Sequence, residues 1–544
     1  MALAGRPSQC VAALRMAGFV AALLVSALLA RSASIAADDK TPPQAVKSGK
    51  EAAGKSQVPF TISKKTTFLL APLDQDGCVD YVAALNQTLS EGVTPENNAG
   101  VLLVRAFGVN EFEHDERARF FKLLGIEPLP EPSSSVVAFT AFVANKLGRA
   151  LTQKESDDFE RAMKEPWSPE GFPLLAGWVN ANEPTLRLVI EATHRTRCYL
   201  PLVVPAGTQI AEVRFPCTDG CRNAARLLAV RAMREIGRGQ IASAEEDLLT
   251  CHRLARLYGR TPFLLPALVA YAIDATACVG DVQLMNRAQY AKRSLAYQQE
   301  LRQLAPLPSM AIAIGEERFM FLEGVVALAR EKMAPGDALG LFTADPPKGF
   351  EQALAHRSAI DWDEALIFGN EQFDKVVAAF SRSTAGDRKA AFAELDQAMH
   401  RLSKEMSSDA FRSWLQPGAR KNLGRTMGKV LTVTLLPAFE AAFQAENRAH
   451  SRETLGQLGF SLAAYSADHS AYPDSLDALA PKYIGRVQND PCTDQPMHYR
   501  REGAGCVLYS VGANGVDDGG RTFDSKPAGD DIVLRLGGPS RSKQ

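Results

Sequence analysis

An acidic, glycine-rich stretch near the carboxyl end contains the side chains best suited to chemistry in this sequence. Its oxygen-bearing side chains include those of Asn514, Asp517, Asp518, Asp530 and Asp531. Calcium takes about six to eight oxygen ligands in irregular geometry, and glycines allow a backbone to fold around an ion. These five residues therefore predict a metal site, with calcium as the expected cofactor. The alternative is a solvated acidic loop that binds no ion.

Motifs of the common catalytic and metal centres are absent from the sequence or lack the context they need. The histidines include no pair with the spacing of a helical zinc site, and no nucleophile elbow occurs. Residues 49–56 fit the letters of a phosphate-binding loop, but Pro59 follows too closely for the helix that such a loop requires. Cys217 and Cys221 favour a disulfide or two free thiols over zinc, because no second ligand pair is visible.

Carboxylates within apolar segments indicate a second kind of chemistry. Asp274 lies in the most apolar internal stretch, residues 262–279, and Glu316 and Glu317 interrupt another. Two carboxylates in a cleft can act as general acid and general base. Buried acids usually need a charged partner, so the sequence favours a protein without catalytic residues, and an exported hydrolase is the alternative. We expect residues 262–279 to form a buried core helix and not a membrane span, because the stretch contains an aspartate.

The N-terminal residues have the pattern of an export signal. Arg6 and Arg15 precede an uncharged apolar run over residues 16–30, and small residues follow as far as Ala36. This order predicts a signal peptide over residues 1–36. The alternative is an uncleaved segment that anchors the protein in the membrane. Either form places the rest of the chain outside the cytoplasm, in the periplasm or beyond the cell.

Composition limits the class of protein and of partner. The chain has 544 residues, of which 46% are hydrophobic and 23% are charged, as in globular proteins with several domains. The 61 basic and 62 acidic residues nearly cancel, so the chain has no net positive field for a nucleic acid. The expected partner is an envelope protein or an envelope surface. Membrane contact is expected only through an uncleaved N-terminal segment.

Apolar periodicity predicts a mainly α fold of stacked antiparallel helices, with a small α+β N-terminal region and a C-terminal α+β head. The predicted regions are a linker over 37–60, a mixed, mostly helical region over 61–215, a helical domain over 216–450 and a C-terminal domain over 451–544. Strand-like segments are expected in the mixed region at residues 68–70, 199–204 and 210–215. Thr94, Ser243 and Asp361 have the residue type and spacing of helix N-caps.

The last part of the chain has the clearest predicted order. An amphipathic helix is expected over residues 455–468, followed by a hairpin that joins residues 497–501 to 506–511 and by a last strand at 532–536. Cys492 and Cys506 are expected to form a disulfide in an oxidising compartment, and two free thiols are the alternative.

This order of elements resembles the globular head of the major pseudopilins of type II secretion. The matching residues are Tyr472-Pro473, Asp490-Pro491, Tyr499, the run LYSVGANG at 508–515 and Asp530-Asp531-Ile532. Together with the run DYVAALN at residues 80–86, the head also resembles exported bacterial proteins that join such a head to a long helical region. The resemblance implies calcium in the acidic stretch, where Asn514 stands in place of the first aspartate of these heads.

One departure from the pseudopilin pattern limits what the resemblance implies. A pseudopilin head follows a long apolar helix that is processed after a glycine, and nothing before Leu455 has that pattern. We therefore expect no assembly into a pilus. The hypothesis from the sequence is a non-catalytic exported scaffold or interaction protein with a calcium-stabilised head. The alternatives are an exported hydrolase and an accessory protein of a type II secretion-like system.

Overall fold

The computed structural model describes residues 58–129, 136–287, 290, 293–333, 354, 357–406, 420–433 and 436–537. These residues are mainly helical and contain a three-stranded antiparallel sheet, which confirms the predicted mainly α fold class. The predicted signal peptide, most of the predicted linker and the phosphate-loop pattern at residues 49–56 lie outside the described residues.

The described helices follow one another with short connections through most of the chain. The first six are α1 (Tyr81–Leu89), α2 (Ala99–Phe107), α3 (His114–Leu124), α4 (Phe139–Leu147), α5 (Gln153–Ala162) and α6 (Pro173–Thr193). The next five are α7 (Thr218–Gly237), α8 (Ile241–Tyr258), α9 (Leu264–Met285), α10 (Ser294–Gln303) and α11 (Met310–Ala329). The last four are α12 (Trp362–Phe380), α13 (Ala385–Met406), α14 (Arg420–Val433) and α15 (Leu436–His469).

The chain divides into two compact units. The described residues of the first unit lie within 58–79, 325–370 and 396–442, and those of the second lie within 80–324, 371–395 and 443–537. The C-terminal residues thus belong to the same unit as helices α1 to α10. The predicted domain boundaries remain predictions.

Side-chain caps decide where several helices begin. Asp361 caps α12 as predicted, because its Oδ1 accepts a hydrogen bond of 3.3 Å from the N–H of Glu364. The prediction for Thr94 is wrong, since α2 begins at Ala99 with Asn98 as its N-cap. The prediction for Ser243 is also wrong, since α8 begins at Ile241, two residues earlier.

The cap of α2 is set by a tertiary contact that local sequence does not contain. Asn98 Oδ1 accepts hydrogen bonds from the N–H groups of Gly100 and Tyr199. A Cβ atom at Gly100 would lie 2.2 Å from the carbonyl oxygen of Tyr199. The helix therefore begins where a glycine permits this close approach of two backbone segments.

The three strands predicted in the mixed region are wrong. Residues 68–70 form neither helix nor strand, and residues 199–204 and 210–215 contain an isolated bridge between Val203 and Arg214 and a short 3-10 turn. In the segment 199–204, a side chain satisfies the backbone of Leu202. Asn86 on α1 donates to the carbonyl of Leu202 at 2.8 Å and accepts from its N–H at 2.9 Å. A neighbouring strand is then not needed.

The predicted C-terminal hairpin and last strand are confirmed. Strands β1 (His498–Glu502), β2 (Gly505–Ser510) and β3 (Ile532–Leu536) form an antiparallel sheet in the order β1-β2-β3. Every residue of β2 is buried, as expected for a central strand with neighbours on both sides. The predicted helix over residues 455–468 is the last part of α15, which begins earlier than predicted.

Helix α9 is the described helix that is long and apolar enough to cross a membrane, and 56% of its apolar window is buried. It packs against α7 and α8 in the second unit. A Cβ atom at Gly280 would lie 2.4 Å from Cδ2 of Leu248, so this glycine allows α9 to approach α8 closely. The arrangement is that of a core helix, as the sequence predicts.

We predict that Asn86→Ala lowers the free energy of unfolding by about 3 kcal/mol. The change leaves the buried N–H and carbonyl of Leu202 without a partner, and each such group costs about 1–3 kcal/mol. It also removes the acceptor of the Tyr199 hydroxyl, which lies 3.1 Å from Asn86 Oδ1. Denaturant unfolding followed by circular dichroism measures the loss.

The matched control is Gln87→Ala, one residue further along α1. Gln87 is exposed, and alanine is the better helix former, so this variant should unfold within about 0.5 kcal/mol of the wild type. Equal stabilities of the two variants would show that the Asn86 amide does not hold the Leu202 backbone.

Candidate functional site

Two groups of metal-ligating side chains converge within the described residues. The first consists of Asp518, Asp530 and Asp531, and we call it the carboxylate cluster. The second consists of His252, Cys278 and Asp281. Whether either group suits a cation depends on the charge, protonation and hydrogen bonds of its ligand atoms.

The carboxylate cluster lies in the connection between β2 and β3, residues 511–531, which we call the acidic loop. Ser510 pairs with Ile532 at the mouth of this loop, so the sheet fixes both ends. Gly512 has a φ of +70°, and a Cβ atom there would lie 2.4 Å from the carbonyl oxygen of Asp530. A glycine at this position therefore allows the two sides of the loop to touch.

A buried aspartate outside the loop holds its first residues. Asp490 is 1% exposed, and its Oδ2 accepts a hydrogen bond of 2.9 Å from the N–H of Val511. Its Oδ1 accepts from the Ser510 hydroxyl at 2.8 Å and from the N–H of Cys492. This aspartate belongs to the pair Asp490-Pro491 that supports the pseudopilin resemblance, and its role here is to position the loop.

The carboxylate cluster brings one oxygen from each of its three residues within 4.8 Å of the others. Backbone N–H groups orient the side chains: Gly520 donates to Asp531 Oδ2 at 2.7 Å, Asp530 donates to Asp518 Oδ2 at 3.1 Å, and Asn514 donates to Asp530 Oδ2 at 3.1 Å. The other oxygen of Asp530, Oδ1, is buried and has no hydrogen-bond partner among the residues that the structure describes.

Arg521 pairs with Asp518 at 3.0 Å, whereas the pKa values of the other two carboxyls of the cluster are raised. Burial raises the pKa of Asp530, and the charge of Asp518 raises it further against the lowering effect of the N–H of Asn514. Burial also raises the pKa of Asp531, with added repulsion from Asp518 and Asp517. Removing water from a charged group and placing like charges nearby both disfavour ionisation. A cation between the three carboxylates would reverse both effects.

The two other predicted ligands make different contacts. Asp517 accepts a hydrogen bond of 3.0 Å from the Tyr509 hydroxyl, and its second oxygen lies 3.4 Å from Nδ1 of His498. Asn514 uses its side-chain oxygen to accept from the N–H of Val516. The structure thus brings together Asp518, Asp530 and Asp531 and turns the Asp517 and Asn514 side chains toward other partners.

His252 and Asp281 of the second group belong to a larger buried ion network on α8, α9 and α10. Nδ1 of His252 lies 2.7 Å from Oδ1 of Asp274, and Nε2 lies 3.0 Å from Oδ2 of Asp281. Arg256 donates to Asp274 at 2.6 Å, and the Tyr297 hydroxyl donates to Asp281 at 3.0 Å. All five side chains are buried, so each charge is compensated by a neighbour and not by water.

The protonation state of His252 argues against a metal in this network. Burial lowers the pKa of His252, but the charges of Asp274 and Asp281 outweigh burial and raise that pKa to about 9. At neutral pH both ring nitrogens then carry protons and donate to the carboxylates. A metal ligand needs a free nitrogen lone pair, which this imidazolium does not offer. The network stabilises the packing of α8 against α9.

Glu316 and Glu317 do not share a site with Asp274. Glu317 accepts a hydrogen bond of 2.9 Å from the N–H of Leu264 and so caps the start of α9. Burial raises the pKa of Glu317 and of Glu316 to about 7. Asp274 instead binds His252 and Arg256. Asp274 and Glu317 thus make separate structural contacts, whereas Oε2 of Glu316 is buried without a hydrogen-bond partner among the described residues.

The cysteines of the described residues are free thiols: Cys78, Cys198, Cys217, Cys221, Cys251, Cys278, Cys492 and Cys506. The expected disulfide between Cys492 and Cys506 is therefore not formed. The thiol of Cys492 lies 3.4 Å from the hydroxyl of Ser451 on α15, and Cys506 lies in the buried central strand. Cys217 and Cys221 agree with the alternative of two free thiols.

Sequence reasoning selected Asp274 but missed His252. The signal was present in the spacing: His252 and Arg256 are four residues apart on α8, and Asp274 and Asp281 are seven apart on α9. Each pair lies on one face of its helix. Only knowledge that α8 packs against α9 turns these two spacings into a network.

Comparisons with protein-family models, with curated proteins and with solved structures gave no match. The geometry of the carboxylate cluster is therefore the basis for a functional proposal.

We predict that His252→Leu lowers the free energy of unfolding by about 3–5 kcal/mol, because Asp274 and Asp281 lose the buried cation between them. Denaturant unfolding at neutral pH measures the change. The control is His194→Leu at a half-exposed histidine that lies 3.6 Å from Glu246. It should shift stability by about 0.5 kcal/mol or less. Equal losses in both variants would contradict the role of the network.

The network also predicts a dependence of stability on pH. The pKa of His252 is raised from 6.5 to about 9 in the folded protein, so its contribution is full below pH 6.5 and is lost as the pH rises through about 9. The wild type should therefore lose more stability than His252→Leu between these pH values, by about 3 kcal/mol. Parallel stability curves for the two proteins would refute this assignment.

Proposed function

We propose that the protein is a non-catalytic exported scaffold whose C-terminal head resembles that of a pseudopilin and is stabilised by calcium. The observation that carries the proposal is the carboxylate cluster of Asp518, Asp530 and Asp531, in which a buried oxygen of Asp530 has no hydrogen-bond partner. Buried polar atoms in native proteins nearly always have a partner. A cation between the three carboxylates supplies one.

The donor set favours calcium over other metals. The cluster offers carboxylate oxygens and no nitrogen or sulfur, which disfavours zinc. Its three side chains leave several coordination positions for backbone carbonyls and water, and calcium accepts such irregular mixtures. Magnesium demands near-octahedral geometry and retains most of its water, so we expect it to bind more weakly. Arg521 already pairs with Asp518, so the negative charge left on the three carboxylates matches that of one divalent ion.

The expected effect of calcium is to fix the connection between β2 and β3. The acidic loop is anchored at its start by Asp490 and contains glycines with positive φ at 512, 515, 519 and 520. Glycine makes a loop conformationally free in the unfolded chain, so an ion that joins Asp518 to Asp530 and Asp531 offsets that entropy. The ion would give the head a single surface for a partner in the cell envelope.

The scaffold hypothesis is preferred to an exported hydrolase for a specific reason. Catalytic carboxylates must reach a substrate, whereas Asp274 is buried between His252 and Arg256. Glu317 accepts a hydrogen bond from the first N–H group of α9. These groups stabilise the helical part of the second unit. A role as an accessory of a type II secretion-like system is compatible with the scaffold and rests on the resemblance of the head alone.

We predict that calcium stabilises the full chain and that magnesium does so less. At free calcium about 100 times the dissociation constant, the free energy of unfolding should rise by about 2.7 kcal/mol. Asp530→Asn should abolish the effect. In chelator the same variant should be more stable than the wild type, because it removes a carboxylate whose pKa is raised by burial. Thermal unfolding with calcium and with chelator measures both effects.

The matched control is Asp524→Asn, an exposed aspartate of the same acidic loop that lies outside the cluster. It should retain the response of the wild type to calcium. Identical unfolding of the wild type in calcium and in chelator would remove the metal site from the proposal.

The scaffold role has its own test in intact cells. A photo-crosslinking residue at Val516, which is exposed on the acidic loop, should join the protein to a component of the envelope when calcium is present. The same residue placed at Leu147, at the end of α4, is the control for random collisions. Equal products from both positions, or none from Val516, would contradict a partner surface on the head.

A further inference from the structure

A short segment of the first unit, residues 64–73, exposes large apolar side chains next to lysines. Leu70 is 50% exposed and Leu73 is 49% exposed. Lys64 and Lys65 precede them and are exposed as well. We call these ten residues the docking segment. Single exposed leucines are ordinary, but two exposed leucines and two exposed lysines occur within these ten residues.

The docking segment is held in place by buried anchors. The side-chain amide of Asn370 donates to the carbonyl oxygens of Lys65 and Thr66 at 3.0 and 2.8 Å. Thr66 and Thr67 are buried, and the Thr67 hydroxyl donates to the carbonyl of Leu69 at 2.8 Å. The leucines are therefore presented to solvent by an ordered backbone.

The docking segment carries two positive side chains, and one carboxylate lies nearby, since Asp363 accepts a hydrogen bond of 2.7 Å from the N–H of Thr61. Within the part of the chain that the structure describes, neither Lys64 nor Lys65 forms an ion pair. The nearest acidic residues in the sequence, Asp74 and Asp76, are already paired, since Arg330 approaches both and Lys332 binds Asp76. The two lysines consequently remain available to an anionic partner.

We propose that the docking segment binds the surface of an anionic phospholipid membrane. Lysines near a membrane are attracted to anionic headgroups, and the leucines would enter the boundary between headgroups and acyl chains. An anionic membrane is favoured over other partners because Lys64 and Lys65 provide positive charge and Leu70 and Leu73 provide apolar surface in the same segment. The position in the sequence agrees, since the segment follows the apolar run at residues 16–30 that is expected to meet a membrane during export. This contact differs from a membrane anchor and does not depend on the calcium site.

The test uses the chain that begins at Ala37, the form expected after removal of the signal peptide. It is mixed in chelator with vesicles of phosphatidylethanolamine and phosphatidylglycerol, or with vesicles of phosphatidylcholine alone, and bound protein is measured by flotation. The protein should bind the anionic vesicles at least tenfold more tightly, and added salt should weaken that binding. Leu70→Asn with Leu73→Asn, and separately Lys64→Gln with Lys65→Gln, should each reduce binding at least tenfold.

The matched control is Lys122→Gln with Leu123→Asn on α3, an exposed lysine and leucine elsewhere on the chain. This variant should bind like the wild type, and thermal unfolding should show that all three double variants remain folded. Equal binding to both kinds of vesicle, or unchanged binding by the docking-segment variants, would overturn the proposal. A wild type that ignores vesicles but crosslinks from Leu70 to an envelope protein would replace the lipid by a protein partner.

Discussion

The cost of burying a carboxylate organises the second unit. A charged group removed from water must find a cation or several N–H groups. Around His252 the compensation is complete, because Asp274 and Asp281 share its imidazolium and each has a further donor in Arg256 or Tyr297. In the acidic loop it is incomplete, since Asp530 retains a buried oxygen without a partner. The same rule thus gives a structural interpretation of one group and a metal-binding proposal for the other.

A feature of the fold could be predicted from the sequence where it depends on residues close together in the chain. The hairpin of β1 and β2 and the helix that contains Asp274 follow from alternation and from apolar composition, which are local. The start of α2 and the absence of strands at 199–215 depend on Asn98 and Asn86, whose amides replace backbone partners more than a hundred residues away in the sequence. A short window of sequence does not contain such a contact. The strand prediction therefore failed at Leu202, whose backbone groups bond to the amide of Asn86 and not to a neighbouring strand.

The candidate site shows the same limit at the scale of single side chains. Composition predicted an acidic loop with oxygen ligands, and Asp518, Asp530 and Asp531 do converge. Asp517 is adjacent to Asp518 but turns to Tyr509 and His498 on the sheet. Neighbouring residues of a loop commonly point in different directions, and the direction is set by glycines with positive φ and by the anchor at Asp490. Counting acidic residues identifies a candidate loop, whereas the backbone selects which of them meet.

The distribution of titratable groups argues for a scaffold more directly than the lack of a catalytic motif does. Within the described residues, the carboxyls of Glu316 and Glu317 have pKa values near neutrality, which is the range useful for acid–base catalysis. Burial is what raises both values, and Glu317 already accepts the N–H that starts α9. A substrate of Glu317 would have to compete with that N–H group. The carboxylate cluster is suited to a cation, and the lysines and leucines of the docking segment are suited to a membrane surface. Both are means of holding a protein in place.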